Sequence, residues 1–124
     1  MSGTKRTASN RGTGALIVNA DDWGRDRGTT DATLACTAAG AVSSVSAMVF
    51  MPDSERAAWI ARERRIDAGL HLNFTEPLAA ACPAGLAARQ LRLARCLRAH
   101  RLAQIVFHPR LARSFQYVVA AQLD

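Results

Sequence analysis

Residues 15–24 read Ala15-Leu16-Ile17-Val18-Asn19-Ala20-Asp21-Asp22-Trp23-Gly24. The first six form a short apolar run with β-branched members, which predicts a strand buried in a parallel sheet. The run ends abruptly in two carboxylates, an indole and a glycine, which predicts a loop leaving the strand. In parallel α/β folds, the loops at the C-terminal strand ends build the active site. Gly24 lets the backbone turn sharply there.

Working outward, Arg27 to Ala39 has helix length and is rich in Ala, with Gly40 placed as a stop just past its end. Val42 to Phe50 predicts a second strand, with Ser44, Ser46 and Met48 on one face and Val45, Ala47 and Val49 on the other. Pro52 closes it. Asp53 or Ser54 is placed to cap a helix from Glu55 to about Arg65, with Ala58, Ile60 and Ala61 available for burial. Ala68 to Phe74 predicts a third strand. Strand, helix, strand, helix, strand in that order implies an α/β fold with a parallel sheet.

After Thr75 the character changes. Ala84 to about Ala103 predicts one long helix with Leu86, Leu93 and Leu97 in a stripe. A loop follows at His108-Pro109, then a helix from Leu111 to Asp124. That last helix has no Gly, Pro or capping residue at its end, so the chain reads as cut rather than finished. The expected organisation is a disordered tail over residues 1–14 and one partial domain over 15–124.

At 124 residues the chain is one domain's worth, and a hydrophobic fraction of 49% excludes a disordered polymer. No apolar run approaches the ~20 residues that cross a bilayer. Residues 1–14 carry Lys5, Arg6 and Arg11 without an apolar core, so they do not read as a secretory signal. Cys36, Cys82 and Cys96 make no CxxC pair, which points to reduced thiols and a cytoplasmic protein.

The net charge of +6 is unevenly spread. Residues 15–76 hold nine carboxylates against six arginines, whereas residues 77–124 hold seven arginines and a single acid, Asp124. The arginines at 89, 92, 95, 98 and 101 step by three and drift around the helix. The region has no aromatic interleaving, zinc-finger spacing or helix-turn-helix pattern, so a solvated helix outweighs a basic nucleic-acid-binding module.

Two adjacent carboxylates at a strand end repel each other, and a divalent cation is the usual remedy. Neighbouring residues there point in different directions, so one Asp can bind a metal while the other faces the reacting water. The bland reading of Asp21 and Asp22 is a helix-capping acidic loop. Trp23 could wall a pocket or stack on a sugar ring. In the alternating stretch Gly69-Leu70-His71-Leu72-Asn73-Phe74, His71 and Asn73 share the polar face. A histidine so placed suits a metal ligand or general acid, the alternative being one hydrogen-bonded to backbone. Asp and His together give mixed N/O ligation with positions left for water and substrate.

Asn19 to Gly24, Ser43 to Val49, and Gly69 to Thr75 closely resemble the YdjC-like family, which includes chitooligosaccharide deacetylases and deacetylases associated with hopanoid biosynthesis. The resemblance is firm over residues 15–76 and looser beyond. It implies the N-terminal portion of a deformed (β/α) barrel, and one divalent metal ion, Mg2+ or Zn2+. It implies hydrolysis of the N-acetyl group of an amino sugar or oligosaccharide, and allows a homodimer of the full-length form. Carried over by position, Asp22 and His71 become metal ligands and Asp21 the general base that activates water. Trp23 stands where the family usually has Phe, and Trp23, Asn73 and Thr75 become polar or aromatic groups at the substrate.

The family's third ligand is a histidine from a later His-rich strand. His100 lies among arginines and His108 precedes Pro109, and neither sits in that pattern. A complete (β/α) barrel needs ~250 residues. The sequence therefore also admits an inactive, truncated remnant carrying the signature, and, with a basic tail, a different metallohydrolase chemistry such as phosphoester cleavage.

Overall fold

The computed structural model describes residues 16–79, 81–99 and 108–124. Strands β1 (Asn19–Trp23), β2 (Ser44–Ala47) and β3 (Asp67–Leu70) form one parallel sheet in that order. Helices α1 (Arg27–Ala38) and α2 (Ser54–Arg64) make the two crossovers. The expected α/β class and parallel order are thus present as a three-stranded sheet. The expected tail over residues 1–14, and the continuation of the long helix towards Ala103, lie outside the described residues.

The strands are shorter than the apolar runs suggested, and the first is displaced. β1 begins at Asn19, so the expected buried strand at 15–20 is corrected: Leu16 and Ile17 are 84% and 77% exposed. No element packs over them among the described residues. The backbone explains where pairing starts. Ser43 and Ser44 N–H groups both reach the Val18 carbonyl, and the ladder proper opens at Asn19 opposite Ser44. β3 stops at Leu70 rather than Phe74. The His71 amide still donates to the Ala47 carbonyl at 2.8 Å, after which the chain leaves the sheet.

α1 starts on Asp26, in extended conformation, whose Oδ1 accepts from the Thr29 amide at 2.8 Å. It ends as expected at Gly40. With φ at 72°, Gly40 lets its own N–H reach the Thr37 carbonyl and that of Ala41 reach Cys36. At α2 the expected capping differs. Asp53 holds the N-cap position but grips the Arg56 guanidinium, while Ser54 Oγ accepts from Met51 N–H and donates to the Met48 carbonyl. α2 buries Ala57 and Ile60; Ala58, expected inside, is exposed.

The core has two parts. Trp23, Val45, Ala57 and Ile60 fill the space between the sheet and the crossover helices. Leu86, Leu93, Leu111 and Val118 fill the second, between α3 (Ala84–Ala99) and α4 (Ala112–Leu123), which a 3-10 turn at Pro109–Leu111 introduces. Phe50 and Phe74 lean on this second cluster from the sheet side, Phe74 edge-on to Phe115 at 5.3 Å. All three cysteines are free, and no described helix is long and apolar enough to cross a membrane.

Candidate functional site

Successive residues of a regular strand point to opposite faces. Asp21 and Asp22 escape that rule. Between the pairs Ala20–Val45 and Trp23–Ala47, β1 has one residue more than β2, so the ladder carries a bulge at the two aspartates. Asp22 occupies the left-handed region at φ 64°, where non-glycine residues are uncommon, and Gly24 follows at 90°. The bulge re-aims the side chains. Oδ1 of Asp22 lies 3.6 Å and Oδ1 of Asp21 4.0 Å from one and the same atom, Nδ1 of His71. The carboxylates therefore lie in the first strand rather than in a loop beyond it, and both approach one imidazole instead of diverging.

Each aspartate is held differently. Asn19 Nδ2 donates to Asp21 Oδ1 at 3.0 Å and to Ser46 Oγ at 2.7 Å, while its own Oδ1 accepts from Ser44 Oγ at 2.8 Å. The Asp21 side chain stays 68% exposed. Asp22 Oδ2 is taken by Arg25 Nη1 at 2.9 Å. The same guanidinium reaches Asp26 Oδ2 through Nε at 3.1 Å. Donation from the Thr29 amide and then its hydroxyl, with help from Arg25, holds the Asp26 carboxyl down to about 2. Arg25 in turn is held above the usual arginine range, chiefly by its bond to Asp26. Helix capping, the bland reading of the aspartate pair, is performed by Asp26. Asn19, Arg25 and Asp26 were missed in the sequence reading, although Asn19 and Arg25 flank the carboxylate pair closely.

Two donor atoms sharing one ion at about 2.0–2.2 Å each stand about 3–3.5 Å apart. The Asp22–His71 separation of 3.6 Å is close to that, and Asp21 sits slightly farther out. The Asp22 carboxylate and the His71 imidazole are two donors of the kind that suit a divalent cation. No group of three or more His, Cys, Asp and Glu among the described residues is closed tightly enough to hold a metal. His100 is outside those residues. His108 is exposed and caps the 3-10 turn, its Nδ1 accepting from the Arg110 amide at 3.3 Å.

The three expected substrate contacts, Trp23, Asn73 and Thr75, have different surroundings. Trp23 is fully buried, and its indole N–H donates to the Ala57 carbonyl at 3.1 Å, so the ring belongs to the core and offers no sugar-stacking face. Asn73 is 3% exposed and builds the turn after β3. Its Oδ1 accepts from the Thr75 and Glu76 amides, and its Nδ2 donates to the Glu76 carbonyl. His71 and Asn73 thus part company after β3 instead of sharing a face. Thr75 is half-buried and borders a groove with Leu78, Gln90 and Arg95 on the α3 side. Of the arginines weighed as a nucleic-acid surface, Arg89 stacks over Tyr117 at 4.5 Å and Arg98 pairs with Glu76 at 3.1 Å.

A family model described as YdjC-like protein matches residues 15–106. A carbohydrate deacetylase from Homo sapiens is 46% identical over 65 residues, which is 49% of this chain and 19% of that protein. A carbohydrate deacetylase from Mus musculus is 45% identical over 65 residues, 49% of this chain and 20% of that protein. The chain thus matches about a fifth of the length of these curated relatives. No solved structure matches it.

Proposed function

Because this chain belongs to the YdjC-like protein family, we propose that it carries part of the active site of a metal-dependent carbohydrate deacetylase, a hydrolase that removes N-acetyl groups from amino sugars or oligosaccharides. The observation that carries the reading is the convergence of Asp21 and Asp22 on His71 Nδ1. On this reading the three parallel strands are the first portion of a deformed (β/α) barrel, and the site stands at the C-terminal rim of the sheet.

Asp22 Oδ1 and His71 Nδ1 would hold one divalent ion, Mg2+ or Zn2+. Such an ion, when bound, polarises an amide carbonyl and makes water a stronger acid. Asp21 takes the proton of the attacking water as general base. Asn19 orients Asp21 by its bond to Oδ1 and is itself fixed by Ser44 and Ser46. The exposure of Asp21 leaves room for water and an acetamido group to reach it. Arg25 keeps Asp22 Oδ2 engaged, so that Oδ1 is the oxygen presented towards His71.

The test is calorimetric titration of Zn2+, Mg2+ and Mn2+ into the chain and into an Asp22→Ala/His71→Ala double variant, followed by acetate release from N-acetylglucosamine oligomers. Stoichiometric binding that the double variant loses, with acetate released, is the expected result. Binding of equal strength in both proteins would sink the ligand assignment. Absence of acetate release by a metal-loaded chain would remove the activity from this chain while leaving the ligands in place.

A further inference from the structure

We infer that Arg25 is a positioning residue that makes Asp22 a one-oxygen ligand by tying its second oxygen to the N-terminus of α1. The inference rests on the metal reading of the site given above. Three hydrogen bonds leave the guanidinium: Nη1 to Asp22 Oδ2 at 2.9 Å, Nε to Asp26 Oδ2 at 3.1 Å, and Nη2 to Thr29 Oγ1 at 3.3 Å. Asp26 and Thr29 are the N-cap and third residue of α1, locked to each other through Asp26 Oδ1 to the Thr29 amide and Oδ2 to its hydroxyl. The planar fork therefore links the carboxylate at the bulge to a rigid helix end.

Geometry matters here because Asp22 sits on a distorted piece of backbone. Asp22 lies in the bulge at φ 64°, outside the regular pairing register, and without a partner for its second oxygen the carboxylate could swing either oxygen, or both, towards His71. With Oδ2 engaged by Arg25, Oδ1 is the oxygen that lies 3.6 Å from Nδ1 of His71.

A cation beside a metal ligand also acts in the opposite sense, since it repels the incoming ion. Here that effect is the smaller one. The Arg25 side chain is 42% exposed and already faces two carboxylates, Asp22 and Asp26, so its charge is locally neutralised and screened by solvent. Loss of partners that orient a ligand typically weakens metal affinity by about 10- to 100-fold.

Mn2+ affinity is to be measured calorimetrically on the wild-type chain, Arg25→Ala, Arg25→Lys, Asp26→Asn and Asp22→Ala, with the urea midpoint of each metal-free protein. Weakening by about 10- to 100-fold in Arg25→Ala is expected, with Arg25→Lys recovering little, because an ammonium cannot span Asp22 and Asp26 as the fork does. Asp26→Asn, which frees Arg25 from the helix end, weakens binding in the same direction and decides the matter should Arg25→Ala fail to fold. Unchanged or tighter binding in a folded Arg25→Ala, or full recovery by lysine, overturns the inference while the ligand assignment stands. If Asp22→Ala binds Mn2+ as the wild type does, or the wild type binds none, the ligand assignment falls and the role of Arg25 falls with it.

Discussion

Asp22 reaches to within 3.6 Å of His71 from a backbone conformation that disfavours any residue with a side chain. At φ 64°, Cβ crowds the following carbonyl, and an L-residue there costs about 1–2 kcal/mol that glycine avoids. The strain lies at the residue proposed as a ligand, so relieving it should stabilise the fold and disable the site. Asp22→Gly is expected to be more stable than Asp22→Ala by about 1–2 kcal/mol in urea denaturation, with neither binding metal. Equal stability of the two variants would mean that the bulge relaxes when the carboxylate is removed.

Two residues later, Gly24 is constrained in a second way. Its φ is 90°, and a Cβ built there meets the Met48 carbonyl oxygen at 3.2 Å and the Ser54 Cα at 3.2 Å. Both obstacles are backbone, so neither can move aside alone. Gly24→Ala should cost about 2 kcal/mol or more, because the conformational penalty and the clash act together. A chemical denaturation curve decides it; a loss below about 0.5 kcal/mol, the range of an inert surface change, would show that the turn shifts freely.

The element order was legible because periodicity and stop signals are local: Gly40 ends α1 through two hydrogen bonds made within six residues of chain. The three motifs were legible for the same reason, and Asp21, Asp22 and His71 do come together. Orientation was not legible. Whether Trp23 faces a sugar or the core depends on one extra residue in β1, and that extra residue exists only relative to the register of β2. The fate of Asn73 was hidden likewise. What draws it inward is Gln122, 49 residues away, a polar residue at helical spacing with nothing in its neighbourhood to mark it.

Gln122 pairs with the Asn73 backbone as a neighbouring strand would. Its Oε1 accepts from the Asn73 amide at 2.7 Å and its Nε2 donates to the Asn73 carbonyl at 3.2 Å, both bonds buried. Replacing it with Ala leaves a buried N–H and C=O without partners, at a cost of about 1–3 kcal/mol. The predicted signature is local as well as global. The Asn73 amide should exchange slowly in the wild type, where it is buried and bonded to Gln122, and far faster in Gln122→Ala. If its protection is unchanged, α4 does not anchor the loop that follows His71.

Acid should loosen the α1 end of the site before it unfolds anything by general repulsion. The Asp26 carboxyl is held at about 2 in the folded chain, below its ordinary value of 3.8, chiefly by the Thr29 amide, then the Thr29 hydroxyl and Arg25. A depressed folded value means that the stabilisation is fully present above 3.8 and is lost as the pH falls towards about 2. Asp53, lowered chiefly by Arg56, adds to the same trend. Urea midpoints measured across that acid window should fall steadily in the wild type and more gently in Asp26→Asn, which cannot titrate at the cap. Parallel slopes would show that Asp26 is not tied more tightly to Thr29 and Arg25 in the folded chain than in the unfolded one, and would sever the link from the helix end to Asp22.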